Sequence, residues 1–408
     1  MARSCLAPLL RSTAYASRSW GWCLNPSLPV YFGVWNVPGV ELDAHFSDHH
    51  PILDTLIYGF AAQTSEAQTG SWNTGLFTLA TVQSLVTATC FSYALATARD
   101  MGAPRTLCAV VFILVGLAPV FGHYASLNMK DSIFSPIYLL WFTLIARLVN
   151  SKGALARSPG FFIALLVSGV LCALTKKTGV YVVEHGDKID KDQREAIDDV
   201  LRYDMLAEHY EPAWADPVKY KYVYNAPQKA WDAYFAVWAQ QGMDDPQVYF
   251  EALVAPVAGF VSPKGAAQLK DALWDKQRGG TELLTRPANL RGMRRAATEV
   301  FEAATETPVI NVLMMSALYL IWIPALCLWV CARRSPRFTP LFIPVVLTVG
   351  AVLMSPMYDT RYALSMIYTA PVLLCFCAAG VVSKAKPEHE GVDNEGVDDK
   401  TVSAGAPC

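Results

Sequence analysis

The chain has 408 residues, of which 53% are apolar and 17% charged, with a formal net charge of −2. Soluble domains carry about 25% charged residues, and the apolar excess here lies in runs long enough to cross roughly 30 Å of hydrocarbon as helix. The composition therefore excludes an ordinary soluble protein, and the near-neutral charge argues against a nucleic-acid partner. The sequence has no Gly-rich phosphate loop, Gly-x-Ser-x-Gly or His-Glu-x-x-His motif, so soluble nucleotide-driven chemistry has no support.

The first 50 residues contain neither a membrane span nor a convincing signal peptide. Residues 51–62 are apolar but too short to span, which predicts a re-entrant or interfacial helix. If residues 1–73 lie outside the cell, a preceding transmembrane helix is needed for their export. We therefore expect that a first helix is missing from the front of this chain.

Seven segments are predicted to span the membrane as helices, which makes the fold class an all-α polytopic membrane protein. They are residues 74–98, 106–122, 132–149, 159–175, 309–332, 338–356 and 362–383. Arginine and lysine residues concentrate in alternate loops, beginning with Arg99 and Arg105 and ending with Lys384 and Lys386. The positive-inside rule assigns those loops to the cytoplasm and the others, including 176–308 and 357–361, to the outside.

Two segments are polar. Residues 184–308 hold 21 of the 35 acidic and 15 of the 33 basic residues, which predicts a solvated, extracytoplasmic insert of short helices. Asp245-Pro246 is typical of a helix start, and the apolar residues from Ala230 to Trp238 recur at helical spacing, as in a small core. The polar tail 384–408 is predicted to be disordered and cytoplasmic. The predicted units are residues 1–50, 51–183, 184–308, 309–383 and 384–408.

Asp48-His49-His50-Pro51 stands directly before the short apolar helix. A carboxylate at the membrane boundary can take a proton from an acceptor hydroxyl, with His49 and His50 tuning it or holding a phosphate. Asp48 or His49 can instead simply cap the helix that begins at Pro51. Together with His45, the residues Asp43, His49 and His50 also form a weak metal-type cluster, so we predict no cofactor but leave a divalent metal open.

Three further polar groups lie in the predicted outer loops. Lys130 and Asp131 either form an N-cap with its ion partner or line a polar cavity between helices. Lys176 and Lys177 run against the positive-inside rule, which favours binding of a lipid-linked phosphate over snorkelling anchors. Arg361 can grip a phosphate bidentately, unless Asp359 neutralises it as a local ion pair.

The cysteines of the predicted spans include the close pairs Cys327/Cys331 and Cys375/Cys377. Their spacing superficially resembles a metal motif. Within membrane helices such residues are far more often small apolar fillers, and that is our interpretation.

Several stretches, taken in order, resemble an uncharacterised family of bacterial polytopic membrane proteins (DUF6020-like) with a glycosyltransferase-C-type architecture. The matching stretches are residues 47–56, 128–134, 177–182, 216–219, 246–249 and 360–364. The resemblance implies a membrane-embedded core whose outward loops bind a polyprenyl-phosphate sugar and an acceptor. In that architecture an acidic residue of the first outer loop is the catalytic base, for which Asp48 and Asp43 are the candidates. The chain departs from the pattern in front of this loop, where the spacing is short and the first helix is absent.

The sequence therefore predicts a membrane-embedded glycosyltransferase at the outer face of a bacterial plasma membrane, with a lipid-linked sugar donor and membrane lipids as its partners. Asp48 would act as base, while Lys176, Lys177 and Arg361 would hold the donor phosphate. Two alternatives remain open. One is a transporter or flippase, against which the scarcity of charge within the spans argues. The other is a non-enzymatic envelope protein that binds a partner through residues 184–308.

Overall fold

The computed structural model describes residues 52–175, 190–209, 223, 226–262, 291–355 and 358–385. Its regular elements are all helical, so the predicted all-α class is confirmed. The α-helices are α1 (Ile52–Thr69), α2 (Asn73–Asp100), α3 (Arg105–Leu117), α4 (Pro119–Ser126), α5 (Lys130–Asn150), α6 (Pro159–Leu174), α7 (Lys191–Asp198), α8 (Leu206–His209), α9 (Gln228–Asp244), α10 (Pro246–Val261), α11 (Arg291–Glu306), α12 (Pro308–Val312), α13 (Ile323–Arg334), α14 (Phe342–Leu353) and α15 (Leu364–Ala385).

Four helical segments of the described residues are long and apolar enough to cross a membrane: Asn73–Asp100, Lys130–Asn150, Pro336–Leu353 and Thr360–Val382. Helices α3 and α4 make a fifth if they are counted as one span, which is bent by 57°. The bend falls at Pro119, the first residue of α4, because proline has no amide hydrogen to continue the helical ladder. These helices indicate a multi-pass membrane protein.

Two further predicted spans also do not form one long helix each. The first, residues 159–175, contains α6, which has 16 residues and is shorter than the roughly 20 residues that cross a bilayer as a helix. The other, residues 309–332, is divided among α12, a π-helix at Leu318–Trp322 and α13. A total of seven spans therefore stays a prediction, while four to five are found.

The centre of the bundle is α15. Along this helix Leu364, Ile367, Tyr368, Leu373 and Phe376 are all fully buried, as expected for a helix that is apolar on every side. It packs against α2, α5 and α13. Outer helices such as α6 instead expose apolar side chains, among them Phe162, Ile163 and Leu166, which is the surface that a bundle embedded in lipid must present.

Helix α1 is longer than the sequence predicted: it continues beyond Ala62 as far as Thr69, although it is not among the candidate spans. It folds back along α2 at such close range that a Cβ atom on Gly75 would lie only 2.0 Å from the carbonyl oxygen of Ala61. The hydroxyl of Ser65 accepts a hydrogen bond of 2.9 Å from the Gly75 amide. This hairpin fixes the beginning of α1 beside the membrane bundle.

The described part of the insert has a small core of its own. Ile197, Val200 and Leu206 pack there against Ala230 and Tyr234 of α9. These two members of the predicted stripe are core, as predicted, whereas Phe235 is 47% exposed. Helix α10 begins at Pro246, also as predicted. Its far end contacts α14 and the π-helix of the membrane part, so the insert is anchored on the bundle.

Candidate functional site

Six of the predicted site residues lie outside the part of the chain that the structure describes. They are Asp43, Asp48, His49, His50, Lys176 and Lys177. Their assignments stay predictions. The other three, Lys130, Asp131 and Arg361, are described, and they lie at the beginnings of two candidate spans.

Arg361 lies in a short 3-10 helix, Thr360–Ala363, that leads into α15. Asp359 caps this turn, since its Oδ1 accepts a hydrogen bond of 3.1 Å from the Arg361 amide. Its Oδ2 lies 2.8 Å from Nε of Arg361, so the local ion pair considered from the sequence is present. The side chains of Arg361 and Asp359 remain 17% and 29% exposed, so the pair is accessible rather than sealed.

Lys130 and Asp131 form the first turn of α5. The helix begins at Lys130, so Asp131 is not its N-cap, and the carboxylate instead lies within the first turn near the positive end of the helix dipole. Asp131 is only 1% exposed. It is close enough to Arg361 to act on it electrostatically, so the structure brings together two motifs that are far apart in the sequence.

Asp54, in the first turn of α1, is a member of this cluster that the sequence analysis did not single out. Its side chain is fully buried, and neither carboxylate oxygen accepts a hydrogen bond from a residue that the structure describes. The pKa of this carboxyl is raised to about 8, chiefly by burial and also by the neighbouring Asp131, while Lys130 acts in the opposite direction. The sequence signal was available: Asp54 is the acidic residue inside an otherwise apolar stretch.

Hydrogen bonds between helices hold the start of α5 in place. The amide of Gln83, on α2, donates to the carbonyl oxygens of Ala125 at 3.2 Å and Leu127 at 2.5 Å. Asn128 donates to the carbonyl of Leu76 at 3.3 Å, and the Ser132 hydroxyl donates to the backbone carbonyl of Tyr124 at 2.7 Å. Hydrogen bonds thus tie the connection between α4 and α5 to α2, and the first turn of α5 to α4.

A metal site has no support from the described residues, in which no group of three or more His, Cys, Asp or Glu side chains is arranged to hold an ion. The histidines of the predicted cluster lie outside this part of the chain. Cys327, Cys331, Cys375 and Cys377 are buried, free thiols in the bundle core. They fill space among apolar side chains, in line with the interpretation from the sequence.

A family described as "Family of unknown function (DUF6020)" matches residues 40–186 and 182–391. These two matches together extend over more than half of the chain. The chain belongs to this family. Comparison with curated proteins and with solved structures returns no match. The matched region of this DUF6020 member includes Asp54, Lys130, Asp131 and Arg361, so the charged cluster lies within the matched residues.

The cluster in this family member combines two chemical capacities. Lys130 and Arg361 offer cationic hydrogen-bond donors, and the guanidinium has five N–H groups of which Asp359 can occupy only some. Asp54 and Asp131 offer carboxyl oxygens shielded from solvent. Buried ionisable groups at a membrane edge are costly and mark functional sites. The arrangement is suited to binding an anion and exchanging a proton nearby.

Proposed function

We propose that the chain transfers a sugar from a polyprenyl-phosphate donor to an acceptor at the outer face of a bacterial plasma membrane. The observation that supports this most is the mixed-charge cluster at the beginnings of two apolar helices. There Asp131, next to Lys130 in the first turn of α5, acts electrostatically on Arg361. A lipid-linked phosphate requires cations at the end of a membrane bundle, next to surface that contacts lipid.

In the proposed reaction an acceptor oxygen forms a bond to the anomeric carbon of the sugar, and the bond from that carbon to the phosphate oxygen breaks. Arg361 and Lys130 stabilise the charge that develops on the leaving phosphate, with Lys176 and Lys177 as further predicted contacts. Asp131 positions the cations. Asp48, with Asp43 as the other candidate, takes the proton of the acceptor hydroxyl, and His49 and His50 assist.

The proposal includes an orientation. By the positive-inside rule we propose that the tail after α15 lies in the cytoplasm and residues 184–308 outside. The proposal has seven spans, with the charged cluster toward the outer leaflet. Fusion of a reporter that is active only outside the cell to the loop at Lys152, and separately to the insert at Gly242, tests this. Signal from the insert fusion alone is expected, and signal from the Lys152 fusion would overturn the orientation.

The first experiment measures binding of an undecaprenyl-phosphate sugar to the detergent-purified chain and to a Lys177→Ala/Arg361→Ala variant. Saturable binding that the double variant loses is expected. The matched control is Arg157→Ala/Arg334→Ala, which removes two exposed arginines elsewhere on the bundle and should leave binding intact. Equal loss in both variants would indicate a non-specific charge effect and contradict the proposed site.

Turnover of the lipid-linked sugar provides a second test. The Asp48→Asn variant should insert normally into the membrane and bind the donor but lose turnover, because the amide cannot accept the acceptor proton. Retained turnover would remove Asp48 from the mechanism, and the same comparison with Asp43→Asn would then decide between the two candidates.

A transporter or flippase is the second candidate, favoured by the 57° break between α3 and α4. Broken membrane helices and buried carboxylates together are typical of transport proteins that couple to ions. Reconstitution into liposomes separates the two functions. Movement of the lipid-linked sugar across the bilayer without cleavage would support transport, whereas cleavage of the sugar–phosphate bond would support transfer.

A further inference from the structure

Asp54 has no structural task that the described residues reveal. It lies in the first turn of α1, yet neither of its oxygens accepts a hydrogen bond from the helix amides, so it does not cap the helix. Its side chain is fully buried, and a buried carboxylate without hydrogen-bond partners is strongly destabilising. A group of this kind kept in a buried position calls for a functional explanation.

The charges around Asp54 come from two adjacent helix starts. Asp131 and Lys130 of α5 act on it directly, and Asp131 in turn acts on Arg361, which is paired with Asp359. On the remaining neighbour, α2, the charged residues are Arg99 and Asp100 at its far end. On α1 itself the other acidic residue is Glu66, more than three turns away, where it accepts a hydrogen bond of 2.7 Å from the indole of Trp72.

The ionisation of Asp54 therefore decides the net charge of the cluster. Counted by formal charge, the two positive charges of Lys130 and Arg361 offset the two negative charges of Asp131 and Asp359. The cluster is therefore neutral when Asp54 carries a proton and negative when it does not. When Asp54 is ionised, an anion that approaches Arg361 and Lys130 is repelled by a buried carboxylate whose charge is not compensated. Repulsion between such charges is stronger at the low effective dielectric constant of a buried site than in water.

We propose that the site takes up one proton on Asp54 when it binds a phosphodiester anion, so that phosphate binding and protonation of Asp54 are thermodynamically linked. This inference rests on the proposed function, since the anion is the phosphate group of the donor. It names a proton-binding residue that acts on the ligand through Asp131 and Lys130 and makes no contact with the reacting atoms. The chemistry is shared by a lipid-linked phosphodiester and a free one.

The linkage has a calculable size. Because the pKa of Asp54 is about 8, about nine-tenths of the molecules carry the proton at pH 7 and about one-tenth at pH 9, if the protonated form alone binds the anion. The apparent affinity scales with that competent fraction, which predicts a loss of about tenfold between pH 7 and pH 9. Phosphodiesters have no ionisation in this range, so the change belongs to the protein.

The experiment measures anion binding by calorimetry at pH 7, 8 and 9, in buffers of different ionisation enthalpy that report proton uptake. The probes are undecaprenyl-phosphate glucose with protein in nanodiscs, and soluble diethyl phosphate. The wild type should lose about tenfold in affinity and, at pH 9, take up about one proton per anion bound. The Asp54→Asn variant should show neither effect, so at pH 9 it should bind about tenfold more tightly than the wild type.

The matched control is Asp100→Asn, which removes an exposed carboxylate at the other end of α2 and should keep the wild-type pH dependence. A pH dependence that persists in Asp54→Asn, or affinity in the wild type that is constant with no proton uptake, would overturn the inference and leave the phosphate site standing. Failure of the folded wild type to bind either probe at any pH would overturn the phosphate site itself. An effect seen with the lipid probe and not with diethyl phosphate would identify the lipid-linked anion as the ligand.

Discussion

The ring of Phe260, at the end of α10, meets the ring of Tyr358 edge-on at a centroid distance of 4.9 Å and an angle of 88°. Phe260 is fully buried and Tyr358 nearly so. Tyr358 directly precedes Asp359, whose carboxylate holds Arg361. The insert therefore packs on the hairpin that carries the accessible cation of the candidate site, and this contact couples the position of the insert to the site.

Replacement of Gly259 tests that contact. A Cβ atom at this position would lie 2.3 Å from Cγ of Tyr358, so Gly259→Ala forces the two elements apart. We expect a loss of about 1–3 kcal/mol in the free energy of unfolding, measured by thermal or denaturant unfolding in detergent. The control is Gly350→Ala, where no atom lies within 4 Å and alanine should stabilise the helix slightly. Equal stability of the two variants would show that the contact is absent.

Asp54 makes a prediction for stability as a function of pH. Its pKa is raised from 3.8 to about 8, so between these pH values the folded state binds more protons than the unfolded state. The stability of the wild type should therefore fall as pH rises from about 4 to about 8. The difference between Asp54→Asn and wild type should grow in favour of the variant by at least about 2 kcal/mol across that window.

Thermal unfolding of both proteins at pH 5 and pH 8 measures this difference. Any constant cost of the buried amide appears at both pH values and cancels, so the change with pH is the informative quantity. Asp100→Asn serves as the control for the general effect of removing a carboxylate. Parallel pH profiles for wild type and Asp54→Asn would mean that Asp54 has an ordinary pKa.

Asp359 competes with an anionic ligand for Arg361. In Asp359→Asn the side-chain oxygen can still accept the hydrogen bond from the Arg361 amide, but the charge that neutralises the guanidinium is gone. We expect the affinity for a phosphodiester to increase about three- to tenfold, which corresponds to about 1 kcal/mol. Asp204→Asn, which breaks the exposed ion pair with Arg194 in the insert, is the control. Weaker binding in Asp359→Asn would assign Asp359 a role in positioning Arg361 instead.

Gln83 is expected to stabilise the candidate site by holding the start of α5 in place. Gln83→Leu keeps the approximate size of the side chain but removes two hydrogen bonds, to the carbonyl oxygens of Ala125 and Leu127. Each carbonyl keeps one other donor, the Ser84 hydroxyl and the Met129 amide respectively. The cost should be about 1–3 kcal/mol in unfolding free energy, together with weaker anion binding because α5 loses its fixed start. In the control Thr89→Val, an exposed hydroxyl loses only a bond to its own helix, and little change is expected. Equal unfolding free energies would contradict the role of Gln83.

The membrane character, the helical class and the position of most helices could be predicted from the sequence. Apolar runs and helical periodicity are local properties, so α2, α5 and α15 lie within one or two residues of their predicted bounds. The break at Pro119 was not predicted, although the proline is visible, because hydropathy over a window of residues is insensitive to a single missing hydrogen bond. The division of residues 309–332 was missed for a similar reason.

The charged cluster, in contrast, could be predicted from the sequence only in part. Lys130, Asp131 and Arg361 were recognisable one by one as unusual charges beside apolar segments, because the cost of placing charge near lipid depends on residue type and position alone. That these residues lie close together could not be predicted from the sequence, since it depends on how α1, α5 and α15 pack. Asp54 escaped notice because its significance lies in its burial and in its neighbour Asp131. Burial and pairwise electrostatics arise from contacts distant in the sequence, and these form only when the helices assemble.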